Sequence, residues 1–206
     1  MASRKSISES DLKNIEQVGK GGFTRTYKFD EETVLLESFD PIKMLLAEGK
    51  FPDSKLFPTV HHCSKPKSLR GKGGEFFIMH YYKERPKRKT KKWLKDNLKP
   101  YHYETYLSLY ELRKSVDSEI SGKRGIDRQK VWNEAFATLE NKKLASLLTR
   151  AYNACSEVVE NVMFDCEPKN VTPYKGNLIL LDSFYSSSLF YKMKFSEKPE
   201  WALDWK

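Results

Sequence analysis

Three side chains near the end of the sequence have the types and spacing that phosphate chemistry needs. They are Asp165, Asn170 and Asp182, within "MFDCEPKNVTPYKGNLILLDSFY" at residues 163–185. Asp165 and Asn170 frame the pattern D-x-x-x-x-N around Pro168, and Asp182 follows an apolar run. Phosphoryl transfer asks little covalent work of a protein. It needs a carboxylate to orient an acceptor hydroxyl, and oxygen ligands that hold Mg²⁺ against the phosphates. A tight loop leading into a hairpin can bring these three together. The same residue types also form turns and cap strand ends, so the pattern alone does not choose between chemistry and structure.

A second stretch, "VGKGGFTRTYKF" at residues 18–29, places Gly19, Gly21 and Gly22 between two strand-like segments and follows them with Phe23. Glycines there let backbone N–H groups approach a nucleotide's phosphates, with Lys20 in the same loop and Val18 over the base. No Lys-Ser or Lys-Thr follows at Walker-A spacing. A plain tight hairpin would use the same glycines.

The elements that must position these groups are readable from periodicity. "IEQVG", "FTRTYKF" and "TVLLES" alternate and predict antiparallel strands over residues 15–38. "PIKMLLAEGKF" (41–51) predicts a short helix with Pro41 in its first turn. "LFPTVHHCS" and "EFFIMHYY" predict two more strands, joined by a Gly/Lys/Pro-rich loop at 64–74. Beyond Lys83 the pattern turns helical. Helices are predicted at 103–116, at 127–139 behind an Asp127 N-cap, and at 140–162. The last carries a stripe of Leu144, Leu147, Leu148, Ala151, Ala154, Val158 and Val162. "NLILLDSF" then predicts a buried strand after the turn "PYKG". The expected organisation is α+β: a loose N-terminus (1–12), a β-rich N-lobe (13–82) and a mostly helical C-lobe (83–206).

Composition bounds the function. Of 206 residues, 39% are hydrophobic and 13% aromatic, enough to bury a core, which excludes wholesale disorder. No run reaches bilayer length, and "MASRKSISES" lacks the apolar stretch of a secretory signal, so no membrane association is expected. Cys63, Cys155 and Cys166 are an odd, scattered set, which suggests reduced thiols in a cytoplasm. The net charge of +9 favours polyanionic or acidic partners. "KERPKRKTKKWLKDNLK" (83–99) reads as a nucleic-acid stripe with Trp93 stacking on a base, or as a dock for an acidic protein. Such runs are usually solvated, and nucleic acid is not the favoured partner. In His61-His62-Cys63 adjacent side chains point to opposite strand faces, which argues against a metal site. "RGKGGE" (70–75) reads as a flexible hairpin tip.

The order of Gly-rich hairpin, strand, helix, two strands, helices, D-x-x-x-x-N, hairpin and Asp resembles the protein-kinase-like superfamily. "FDCEPKN" is similar to its catalytic loop and "LDSF" to its Asp-Phe-Gly segment. The resemblance implies a two-lobed fold with an antiparallel β N-lobe and a truncated, mostly helical C-lobe, with ATP and Mg²⁺ as cofactors. By that resemblance Asp165 is the catalytic base, Asn170 and Asp182 are the Mg²⁺ ligands, and Gly19–Gly22 form the lid. The backbone from His80 to Tyr82 would meet adenine. The activity implied is γ-phosphoryl transfer to Ser/Thr of a protein, a substrate or host protein of acidic character.

Three departures qualify it. "TVLLES" lacks the lysine that grips the α- and β-phosphates, and Glu37 or Leu36 stands in its place. Arg25, Lys20, Lys28 and Lys43 are candidate stand-ins, with Lys28 and Lys43 favoured. A charge-swapped Glu37–Lys43 pair is the alternative. Glu167 replaces a phosphate-contacting lysine, with Lys169 either reaching back or solvated, and Phe164 replaces an arginine, which argues against control by activation-loop phosphorylation. Finally, Asp182 stands 24 residues before Lys206. That shortness is similar to compact host-takeover kinases of phages and to bacterial kinase-like proteins of the YrbL type. Substrate recognition would fall to helices in 100–140 and to "KPEWALDWK", and Ser183 and Ser186–Ser188 are candidate autophosphorylation sites. The rival readings are a pseudokinase-type binding or inhibitory module, a small-molecule phosphotransferase, and a basic nucleic-acid binder.

Overall fold

Alternating apolar side chains fold the N-terminal part into a sheet. The computed structural model describes residues 7–12, 15–65, 74–82, 90–121 and 126–195. Strands β1 (Gln17–Lys20), β2 (Thr24–Lys28), β3 (Thr33–Ser38), β4 (Val60–Cys63) and β5 (Glu75–His80) form one antiparallel sheet in the order β1-β2-β3-β5-β4. The inner strands β3 and β5 are buried on both faces, through Val34, Leu35 and Leu36 on one and Phe76 to Met79 on the other. Edge strand β1 is largely exposed. A one-turn helix α1 (Glu9–Leu12) precedes the sheet. Ile7 joins Leu35, Cys63, Phe76 and Ile78 in the core on one face.

Helix α2 (Pro41–Ala47) starts as expected, with Pro41 in the first turn and the Asp40 carboxylate accepting from Ile42 N at 3.0 Å. It ends four residues earlier than the expected Phe51, because Gly49 turns left-handed at φ 69°. Of "RGKGGE", Gly74 and Glu75 fall among the described residues. Gly74 is there for packing: a Cβ on it would lie 2.6 Å from the Ser38 carbonyl. The rest of that loop, the basic run at 83–89 and the tail "KPEWALDWK" lie outside the described residues, as do residues 1–6 of the N-terminal segment.

The C-terminal part is helical, and side-chain caps set its starts. Helix α3 (Lys91–Asn97) is capped by Thr90, α5 (Arg128–Ala137) by Asp127, and α6 (Lys142–Ser156) by Asn141. Between them runs α4 (Pro100–Ile120), longer at both ends than its apolar stripe suggested, since Pro100 suits a first turn and Ile120 is buried. The helix expected over 140–162 stops at Ser156. Val158 is exposed and Val162 belongs to the next strand, because Asn161 takes a left-handed φ of 53° and redirects the chain. The buried face of α6 is Ala145, Leu148, Ala151, Tyr152 and Cys155.

Four short strands follow: β6 (Val162–Phe164), β7 (Val171–Tyr174), β8 (Asn177–Leu180) and β9 (Phe184–Ser186). β6 pairs with β9 and β7 with β8, so the single strand expected over "NLILLDSF" is two, broken at Leu181 to Ser183. The β7–β8 turn puts Lys175 and Gly176 at φ 51° and 74°, the left-handed pair that a two-residue hairpin requires. A final helix, α7 (Ser187–Phe195), was not expected.

The architecture is α+β, an antiparallel sheet in the N-terminal region and helices in the C-terminal part. Two compact units result. One draws on Met1–Lys50, Thr59–Tyr81 and Ser187–Lys206, the other on Phe51–Pro58 and Tyr82–Ser186. In the second, Trp132, Phe136, Tyr152, Phe164 and Phe184 form an aromatic core with Phe164 at its centre, 5.5 Å from Phe136 and 5.3 Å from Phe184. Among the described residues no helix is long and apolar enough to cross a membrane.

Candidate active site

Phe164 is buried among these rings, and that fixes where Asp165 emerges. Pairing of Phe164 with Phe184 across β6 and β9 continues one residue further, where Asp165 N donates to Ser183 O at 2.7 Å. On the other side of Asp182, Leu181 N donates to Asn170 O at 2.8 Å. Asp182 is therefore bracketed by two residues whose main chains are tied to Asp165 and to Asn170. Residues separated along the sequence are joined here by backbone bonds.

The side chains extend the same network. Asn170 Nδ2 donates to Asp165 Oδ2 at 2.7 Å, and Glu167 N donates to Asp165 Oδ1 at 2.9 Å. The turn of 3-10 helix Pro168–Asn170 is closed by Asn170 N donating to Glu167 O at 2.8 Å. Asp165 is buried, and burial pushes its carboxyl above the usual carboxylate range, against the pull of the Glu167 N–H and of Arg113. Burial also pushes up the neighbouring Cys166 thiol.

Arg113, on α4, was not among the residues singled out from the sequence. Its Nε lies 2.7 Å from Asp117 Oδ2 and 3.9 Å from Asp165 Oδ1, and its Nη1 lies 3.3 Å from Glu167 Oε1. Burial opposes its charge, but Asp117, Asp165 and Glu167 together hold the guanidinium's pKa above its ordinary value. Asp117, half-buried, is pushed up by that burial despite Arg113. Glu167 faces a second cation, Lys169, at 3.4 Å. The only sequence signal for this cluster was Arg113 and Asp117 at i and i+4 on a helix.

The donor chemistry suits a hard cation. Asn170 spends its amide N–H on Asp165, which leaves its carbonyl oxygen, and Asp182 adds a half-buried carboxylate. Among the described residues no group of three or more His, Cys, Asp or Glu is placed to hold a metal ion. A Mg²⁺ held by Asn170 and Asp182 would thus complete its shell with phosphate oxygens and water, as that ion commonly does.

In the first unit, Val18, Gly19, Lys20, Gly21 and Gly22 share the β1–β2 hairpin, closed by Gly21 N donating to Thr24 O at 2.7 Å. None of the three glycines is left-handed. A Cβ on Gly21 would meet nothing nearer than Thr24 O at 3.7 Å, so the hairpin's own geometry does not demand glycine there. Gly22 and Phe23 lie against Phe190 of α7, with the two phenyl rings 6.0 Å apart. Lys28 stands at the opposite end of β2, paired with Glu31 at 3.0 Å on the surface. Lys43 is buried on α2. Glu37 meets Arg25 at 3.8 Å and accepts from Tyr27 OH at 3.2 Å. His80 ends β5 opposite Thr33, and Tyr81 N donates to Glu32 O at 2.6 Å. In the second unit Tyr82 is buried, its ring 5.5 Å from that of Tyr174.

No family model matches the chain, and no curated protein matches it. Among solved structures, the chain is similar to one described as the streptomycin-ATP-APH(2")-IIa ternary complex, at 14% identity and a TM-score of 0.34. The match spans 84% of this chain and 67% of that one.

Proposed function

We propose that the chain is an ATP- and Mg²⁺-dependent phosphotransferase that acts on Ser/Thr hydroxyls of a protein. The observation that carries this is the bracketing of Asp182 by main-chain bonds to Asp165 and Asn170, with the Asn170 amide on Asp165. Bound Mg²⁺ would supply charge neutralisation to the phosphates, and Asn170 and Asp182 are the residues that would hold it. Asp165 orients the acceptor hydroxyl and takes its proton as that oxygen bonds to the γ-phosphorus and the β–γ bridging bond breaks, leaving ADP. The Gly19–Gly22 hairpin offers backbone N–H groups to the nucleotide. The acceptor is an acidic protein, in keeping with a net charge of +9. A host protein in a phage-infected cytoplasm fits the resemblance to compact phage kinases.

Incubation with γ-labelled ATP, Mg²⁺ and an acidic protein acceptor tests the reading. Wild type should transfer label, while Asp165→Ala and Asp182→Ala should not and should stay folded. Undiminished transfer by either variant overturns the assignment. One observation favours a second reading, a pseudokinase-type binding module. On β3 the position expected for a phosphate-gripping lysine carries Glu37 or Leu36; Leu36 is buried and Glu37 is engaged with Arg25 and Tyr27. Nucleotide binding without transfer by the wild type would select it.

A further inference from the structure

Asp165 is a buried carboxylate, and its orientation rests on few atoms. One oxygen takes the Asn170 amide, and the other takes the Glu167 N–H and faces Arg113. The Glu167 N–H belongs to the same short turn, so it cannot hold that turn against the rest of the unit. Arg113 can, because it comes from a different element. Asp117, one turn along α4, forms an ion pair with Nε at 2.7 Å that is not a hydrogen bond, and the guanidinium donates from Nη1 to Glu167 at 3.3 Å and lies 3.9 Å from Asp165. The side chain is four-fifths covered, which favours one geometry over the many that an exposed arginine samples.

We propose that Arg113 is a positioning residue for the phosphotransfer step, clamping the Asp165–Asn170 turn to α4 through Glu167 while Asp117 orients it. This deepens the function proposed above and rests on it. On this account Glu167 is not a lost phosphate contact. It is the loop's handle on the helix, and an acidic residue there is required because the partner is cationic. Without Arg113, Glu167 keeps its pairing with Lys169, a cation of its own turn that cannot tie that turn to α4.

The test compares Arg113→Met, Arg113→Lys, Glu167→Gln and the Arg113→Met/Glu167→Gln double variant. The readouts are steady-state transfer and hydrogen exchange of the Glu167 and Asn170 amides in the ligand-free protein. Arg113→Met should lower kcat about 100-fold, with KM for ATP changed by less than about threefold, as expected for misplacement of a catalytic group. Arg113→Lys should recover part of that loss. The double variant should be better than the product of the single losses, since it removes both ends of one pair. Exchange at Glu167 and Asn170 should rise about tenfold in Arg113→Met, while the β7–β8 amides stay protected. A kcat loss without faster exchange, additive losses, or a change in KM alone overturns the clamp. If the wild type itself transfers nothing, the exchange arm still decides: unchanged protection refutes the clamp, and increased protection loss supports it although the phosphotransfer reading has failed.

Discussion

The glycine hairpin of β1 and β2 and the Asp165–Ser183 segment are both turns built around charged and small residues, but they are held in opposite ways. The second is pinned at its ends. Its ends are tied by Asp165 N to Ser183 O and Leu181 N to Asn170 O, its floor is Phe164, and its tip is a left-handed Lys175–Gly176 pair. The first sits on an exposed edge strand, has a register irregularity between Gln17 and Gly19, and uses glycines where its backbone does not need them. Where the fold dictates the residue, the residue says little about ligands. Where the fold leaves the residue free, its identity points outward, to whatever must approach the chain. Under the proposed function one region aligns the reacting groups and the other yields to a nucleotide.

The largest effect that sharpens this contrast is chemical. Asp165→Asn should cut transfer by about 10³-fold, within the range general-base removal gives, while thermal unfolding shifts little. Melting curves and label transfer on one preparation check both halves. A large loss of stability instead would mark Asp165 as a structural carboxylate, and the contrast would collapse.

Next comes Phe164→Ala, which should cost about 3–5 kcal/mol by emptying the centre of the aromatic core. Denaturant titration measures it, and transfer per folded molecule should also fall because β6 no longer fixes Asp165. A cost below about 1 kcal/mol would mean that the rings repack freely and that the segment is less constrained than described.

That position also shows what the sequence could and could not disclose. Asp165, Asn170 and Asp182 were legible as a candidate set from their spacing, and the sheet as alternation, because both are local patterns. The Asp127 cap was legible for the same reason. Arg113 was not, because its meaning depends on Glu167, 54 residues later, and no local pattern encodes that pairing. The end of α6 was misread because Val158 and Val162 continue an apolar period that the left-handed Asn161 interrupts. Residues 177–184 were misread as one strand because the run Leu178–Leu181 and Phe184 is apolar, and only tertiary pairing divides "NLILLDSF" between β7 and β6. Helix α7 carries little amphipathic pattern, so nothing in its text announced it.

A smaller effect belongs to the tip of the second hairpin. Gly176→Ala should cost about 1–2 kcal/mol, the strain of a side chain at φ 74°, with transfer per folded molecule unchanged. The added methyl meets Lys99 Cγ at 3.0 Å, a flexible side chain able to give way, so backbone strain and not collision sets the cost.

Gly21→Ala is the subtlest and the most discriminating. No left-handed φ is involved, and the new Cβ would sit 3.7 Å from Thr24 O, an ordinary contact. Stability should therefore change by less than about 0.5 kcal/mol, and it should rise if anything, because alanine restricts the unfolded chain. If the hairpin exists only to reverse direction, nothing else should change. If its backbone must lie against phosphate oxygens, a methyl group in that path should weaken binding of a non-hydrolysable ATP analogue about tenfold, which isothermal titration resolves. A stable variant with unaltered nucleotide affinity would show that these glycines face no ligand. The distinction between a turn chosen by the fold and a turn chosen for an approaching molecule would then lose its foundation.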